Sequence, residues 1–165
     1  MKSFTAPRII LSLYLLTLLW LLLFKFSYDL PAVLLHYGVR SLNLVPFSHL
    51  SRGDMRGAVE NAAVFVPLGL LAGVNFKGVS VWRLLACIAC LSAAVEVPQF
   101  AFAIGITDTT DVITNSLGGA LGLGVYGACT KYMPTEKVDR SVVAVNALLL
   151  LAVIVLRVFV ARVRY

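Results

Sequence analysis

The sequence predicts an all-α, polytopic membrane helix bundle of about five transmembrane helices. Three observations carry that reading. The chain of 165 residues is 60% hydrophobic and only 13% charged, with a mean hydropathy of +0.92, whereas soluble domains carry about 25% charged residues. Its apolar runs are long enough to cross roughly 30 Å of hydrocarbon. Its lysines and arginines fall at the ends of those runs, where they anchor helices at the membrane surface. This length predicts one integral membrane domain, 1–165, with a core over 54–132 and no room for a separate soluble catalytic domain.

Met1 to Arg8 reads as a short basic tail, followed by a first span from Ile9 to Phe26. That run exceeds a usual signal-peptide core and no small-residue cleavage site follows it, so a retained helix is expected. Ser27 to about Gly57 is the longest connection. Within it, Asp29, Pro31 and Gly38 mark an interfacial helix over DLPAVLLHYG. RSLNLVPFSHL then reads as extended or irregular backbone, and Asp54 as a cap of the next helix. The second span, Ala58 to Asn75, is the weakest, with Glu60 and Asn61 at its start and Pro67 in its middle. Gly69 and Gly73 give it small-xxx-small spacing for close packing. A tight turn flanked by Lys77 and Arg83 leads into the third span, about Val81 to Phe102. Gly105 to Asp111 reads as a short polar loop. The fourth span runs from about Val112 to Tyr132, with Gly118, Gly119, Gly122, Gly124 and Gly127 leaving one flank nearly bare. Met133 to Arg140 reads as a polar connector, and Val142 to Val160 as the fifth span.

The stretch from Val95 to Gly124 holds three of the eight acidic residues, Glu96, Asp108 and Asp111, with Gln99 and Asn115. An ionised carboxylate at membrane depth costs at least a few kcal/mol, so such groups call for a partner or a task. Glu96 and Gln99 are i, i+3 on one helix face, and Pro98 between them frees a carbonyl one turn back. Asp111 and Asn115 are i, i+4 on the next helix. Asn61 opens the second span on the same membrane side, together with the long connection and its Arg40, Arg52 and Arg56. Polar groups from three helices therefore converge on one face. Three neighbouring carboxylates repel, so at least one should gain a raised pKa or an arginine partner.

The net charge of +6 does not indicate nucleic acid, since the basic residues flank apolar runs and no groove-reading motif is present. Cys87 and Cys90 form a CxxC inside VWRLLACIACLSAAV, where a thiolate would be costly, and are read as small core residues. His36 and His49 read as interfacial, and no third ligand recurs at metal spacing. No metal and no cofactor is expected.

With a cytoplasmic N-terminus, Lys2, Arg8, Lys77, Arg83, Lys131, Lys137 and Arg140 lie inside. Lys25, Arg40, Arg52, Arg56, Arg157, Arg162 and Arg164 then lie outside. The positive-inside count is tied. The basic short loop at Lys77 to Arg83 and the basic N-terminal tail favour an inside N-terminus and an outside C-terminus.

ENAAVFVPLGLL, AAVEVPQF and TDVITNSLGGALG, in that order and spacing, resemble the VanZ-like membrane family, as do RSLNLVPF and FAIGITDTTD. The resemblance covers about Leu11 to Arg140. It implies reduced susceptibility to teicoplanin, a lipidated glycopeptide, through action at the membrane or cell wall, and brings no catalytic mechanism. The family's polar pattern falls on Asn61, Pro67, Gly69, Glu96, Gln99, Asp108, Asp111, Asn115 and Gly118. Many relatives carry an arginine shortly before the aspartates, where this chain has Gly105 and Ile106, so Arg52 or Arg56 from the long loop is expected to balance the carboxylates instead.

Two function classes follow. In one, a non-catalytic resistance factor uses Asn61, Glu96, Gln99, Asp108, Asp111, Asn115, Arg52 and Arg56 to bind, or alter access to, a cell-wall precursor, an envelope polymer or the glycopeptide. In the other, a membrane-embedded enzyme acts on a lipid-linked precursor or anionic polymer, with Glu96 or Asp111 as general base and arginines holding phosphate. Against the enzyme stand the lack of a Ser/His/Asp set, of a phosphate-cradling glycine loop, and of any histidine on the apolar helices. A carrier, marked by broken helices with midplane carboxylates, ranks below both because no internal repeat is apparent. If packing alone explains the amides, each interhelical hydrogen bond contributes roughly 1 kcal/mol.

Overall fold

The computed structural model describes residues 5–23, 41–47, 52–101 and 106–164. Five helices run through them: α1 (Thr5–Leu23), α2 (Arg52–Asn75), α3 (Val81–Ala101), α4 (Thr109–Tyr132) and α5 (Thr135–Arg164). All five contain apolar windows long enough to cross a bilayer. The chain is a multi-pass membrane protein. Large apolar side chains such as Leu16, Leu117 and Leu148 are exposed on the outside of the bundle, as a lipid solvent requires. Trp82 and Tyr132 stand exposed near one set of helix ends, a position typical of interfacial aromatic rings.

The bundle has two distinct ends. At the first, the α2–α3 turn and the α4–α5 link lie with the start of α1, because the Asn75 amide donates to the Pro7 carbonyl at 3.2 Å. Gly78, with φ +87°, makes the α2–α3 turn. At the second end, α2 and α4 begin and α3 finishes. There β1 (Ser41–Asn43) pairs in parallel with β2 (Ile106–Asp108), with Asn43 opposite Asp108.

Helices α2 and α4 therefore run parallel, and they share the most extensive contact in the bundle. Glycine makes that contact possible. A Cβ on Gly118 would collide with the carbonyl of Ala62, and one on Gly122 with the carbonyl of Val66. Gly69 is closed in the same way by the Gly119 carbonyl. Each hydrophobic side chain here replaces no water; close backbone approach supplies dispersion and weak C–H···O contacts instead. Gly119 faces α3, where Ile88 packs on it. Phe65, Leu71 and Leu18 are the most deeply buried apolar side chains and join α2 to α1, aided by the Tyr14 hydroxyl donating to the Val64 carbonyl at 2.6 Å.

Several expectations are corrected. The first helix starts at Thr5, not Ile9, with Pro7 tolerated in its first turn. Asp54 lies within α2, so it does not cap it. Gly124 and Gly127 have nothing near their missing Cβ atoms; at 100° per residue they turn away from the seam that Gly118 and Gly122 share. Cys87 and Cys90 are exposed on α3 and are not core residues. The polar stretch Met133 to Arg140 is mostly helix, with only Met133 and Pro134 between α4 and α5. The Pro134 carbonyl accepts from Lys137 and Val138, and Glu136 sits in the first turn, where an acidic group suits the helix dipole. Asp139 explains the polarity: it pairs with Lys77 and accepts from the Tyr126 hydroxyl at 2.9 Å, clasping α5 to the α2–α3 turn and α4. The interfacial helix expected over 29–38, and both histidines, lie outside the described residues.

A polar cluster at the α3–α4 end

The buried face of α3 carries Ser92, Val95, Glu96 and Gln99, a spacing of three and four residues that aligns them along one stripe. It meets the opening turns of α4, which runs antiparallel to it. Asp108 ends β2 and is the N-cap of α4, with extended backbone at φ −127° and ψ 124°. Its carboxylate accepts from the Thr110 N–H at 2.8 Å and from the Asn43 amide at 3.1 Å. One residue thus caps a helix and ties it to a strand 65 positions earlier. The Thr109 hydroxyl donates to the Asn43 carbonyl, and the Phe47 N–H to the Thr110 hydroxyl, both at 3.1 Å. Phe47 has φ 57°, the one non-glycine positive φ among the described residues, and such a backbone persists only where surrounding contacts hold it.

Glu96 is buried, and its Oε2 accepts from the Asp108 N–H at 3.3 Å. The carboxylate thus lies against the N-terminus of α4, where unsatisfied N–H groups favour a negative charge. Asp111 occupies the first turn of the same helix and is half-buried. One turn further in, the Asn115 amide donates to the Ser92 hydroxyl at 2.8 Å. Towards the outside of the stripe, the Gln99 amide donates to the Leu22 carbonyl of α1 at 2.8 Å. Both amide groups are 2% exposed, and neither Gln99 Oε1 nor Asn115 Oδ1 has a hydrogen-bond partner.

The structure therefore gathers Glu96, Gln99, Asp108, Asp111 and Asn115 at one end of the bundle. It treats the remaining sequence candidates differently. Arg56 lies on α2, not in the long loop, and pairs with Glu60 one turn along at 2.7 Å on an exposed surface. Arg52 is the first residue of α2. Asn61 is half-buried on α2 and makes no side-chain hydrogen bond among the described residues. Ser92 was foreseeable from its i, i+4 spacing to Glu96. Asn43 carries no such signal, because its partner is remote in sequence. No group of three or more His, Cys, Asp or Glu side chains is placed to hold a metal among the described residues.

The VanZ/LLP1 family profile matches residues 11–130, which include α1 to most of α4 and every member of the cluster. The chain belongs to the VanZ/LLP1 family. It is similar to Protein VanZ of Enterococcus faecium, with 47% identity over 150 residues and 91% of each chain covered. No solved structure shows significant similarity. The family match ends before α5, so the fifth helix lies outside the region the family profile describes, while the enterococcal VanZ matches over a length that extends beyond it.

Proposed function

We propose that this chain is an integral membrane accessory factor that lowers susceptibility to teicoplanin and related glycopeptides, acting at the outer membrane face or cell wall. The observation that carries this reading is the similarity to Protein VanZ across 91% of both chains. The geometry supports a binding role for the cluster over a catalytic one. Both Asp108 oxygens are engaged by Asn43 and Thr110, and the Glu96 carboxylate braces the start of α4. These are the contacts of a preorganised recognition surface. The molecule contacted is a cell-wall precursor, an envelope polymer or the glycopeptide itself.

The same reading places the N-terminus in the cytoplasm and the cluster end outside. The Lys77 to Arg83 turn and the start of α1 share one end of the bundle, and basic short loops favour the cytoplasm. Expression in a susceptible Gram-positive host tests the function: teicoplanin susceptibility and the binding of labelled teicoplanin to cells should both fall. Unchanged susceptibility at normal membrane abundance would refute it.

A further inference from the structure

We infer that the α3–α4 cleft beside Glu96 is a binding site for a small cationic group, best matched by a primary ammonium. The inference deepens the recognition role proposed above and rests on it for its biological meaning, but its geometry stands alone. Two buried amides flank Glu96 along one stripe of α3: Gln99 lies one turn outward, and Asn115 is held by Ser92 one turn inward. Each spends its NH2 on a protein acceptor and leaves its oxygen bare. A buried acceptor without a donor costs about 1–3 kcal/mol. The stripe therefore offers carboxylate and carbonyl oxygens and lacks donors. Pro98, between Glu96 and Gln99, adds to this, since it has no N–H for the Ala94 carbonyl. An ammonium brings three donors and a positive charge to such a surface, whereas an anion would meet only acceptors.

The packing also shows which wall yields. Helix α4 meets α2 backbone to backbone through Gly118 and Gly122, so the two move as one body. It meets α3 through side chains, namely Ile88 on Gly119, the Ser92–Asn115 bond and Glu96 at the Asp108 N–H. The outer turn of α3, weakened at Pro98, separates from α4 at lower cost than α2 does. Entry is beside Glu96, and the bare oxygens are satisfied as the cation arrives.

The test uses full-length protein in cells with Cys87→Ala, Cys90→Ala and Cys129→Ala, into which Ser92→Cys or Asn115→Cys is introduced one at a time. Ala93→Cys, exposed on the outside of α3, is the control. Two thiol reagents of equal length are compared, an aminoethyl methanethiosulfonate, which is a primary ammonium, and its sulfonatoethyl counterpart. The ammonium reagent should modify Ser92→Cys and Asn115→Cys at least tenfold faster than the sulfonate, relative to Ala93→Cys. Adding Glu96→Gln should bring that ratio close to one. No modification at either position in protein of normal abundance, or equal rates with both reagents, overturns the site. Teicoplanin susceptibility of the same strains reports on the resistance reading separately, because charge-selective labelling with unaltered susceptibility leaves the site in place and refutes only its link to resistance.

Discussion

Gly122→Ala adds a single methyl group at the seam between α2 and α4. The new carbon would overlap the Val66 carbonyl and stand 2.9 Å from the Leu70 nitrogen and 3.0 Å from the Gly69 Cα. Ordinary carbon contacts lie near 3.5–4.0 Å, and all three obstacles are backbone, which cannot rotate away. The helices must separate, and a gap of about 0.5–1 Å forfeits a quarter to a half of each dispersion contact along the seam. Overpacking of this kind costs about 1–3 kcal/mol, or roughly 5- to 150-fold in the folding equilibrium. Gly124→Ala is the matched control: nothing lies within 4 Å of its Cβ, and a helical Gly→Ala change is worth up to about 1 kcal/mol in favour. Thermal unfolding in detergent, together with membrane abundance, should show Gly122→Ala clearly destabilised, Gly122→Leu worse, and Gly124→Ala unchanged or improved. Equal melting temperatures for Gly122→Ala and Gly124→Ala would refute the seam.

Glu96→Gln and Asp111→Asn keep size and remove charge. Each should insert at normal abundance and lose teicoplanin resistance, and full resistance in both would show the charges unnecessary. Asp108→Ala removes the cap of α4 and the link to Asn43, and should cost about 1 kcal/mol or more in a melt, with Asp108→Ser recovering part of it. Asp139→Ala breaks the clasp to Lys77 and Tyr126, so limited proteolysis should cut the α4–α5 link faster than in the parent. A reporter fused after Tyr165 should give an extracytoplasmic signal and one at Thr135 a cytoplasmic signal; a cytoplasmic C-terminus would contradict the orientation.

The five spans were legible because each apolar run satisfies the bilayer by itself, with no reference to a partner. The convergence of Glu96, Gln99, Asp108, Asp111 and Asn115 was legible too, since helix spacing and the alternation of membrane sides bring them together. What a side chain does there was not. Asp108 looks like a loop carboxylate until Asn43 is placed opposite it across the β pair. The five glycines of α4 look alike in sequence, yet only the phase set by α2 and α3 distinguishes Gly118, Gly119 and Gly122 from Gly124 and Gly127. Asp139 made the start of α5 read as a connector, because its partner Lys77 is 62 residues away. Cys87 and Cys90 were misread for a related reason, since in a bilayer the outside of a bundle is as apolar as its core.

The parallel seam between α2 and α4 also constrains how the protein is made. Helix α2 ends at Asn75 and α4 begins at Thr109, so the ribosome adds more than thirty residues between them, at about 5–20 residues per second. For some seconds α2 sits in the membrane with Gly69 facing lipid or a protein that assists insertion, and α3 must cross before the proper partner arrives. Only then can α4, entering in the same direction as α2, slide its glycines against the waiting carbonyls. The newborn chain is most exposed to degradation in that interval, and faults in α4 should show themselves as lost α2 before any helix has failed to insert.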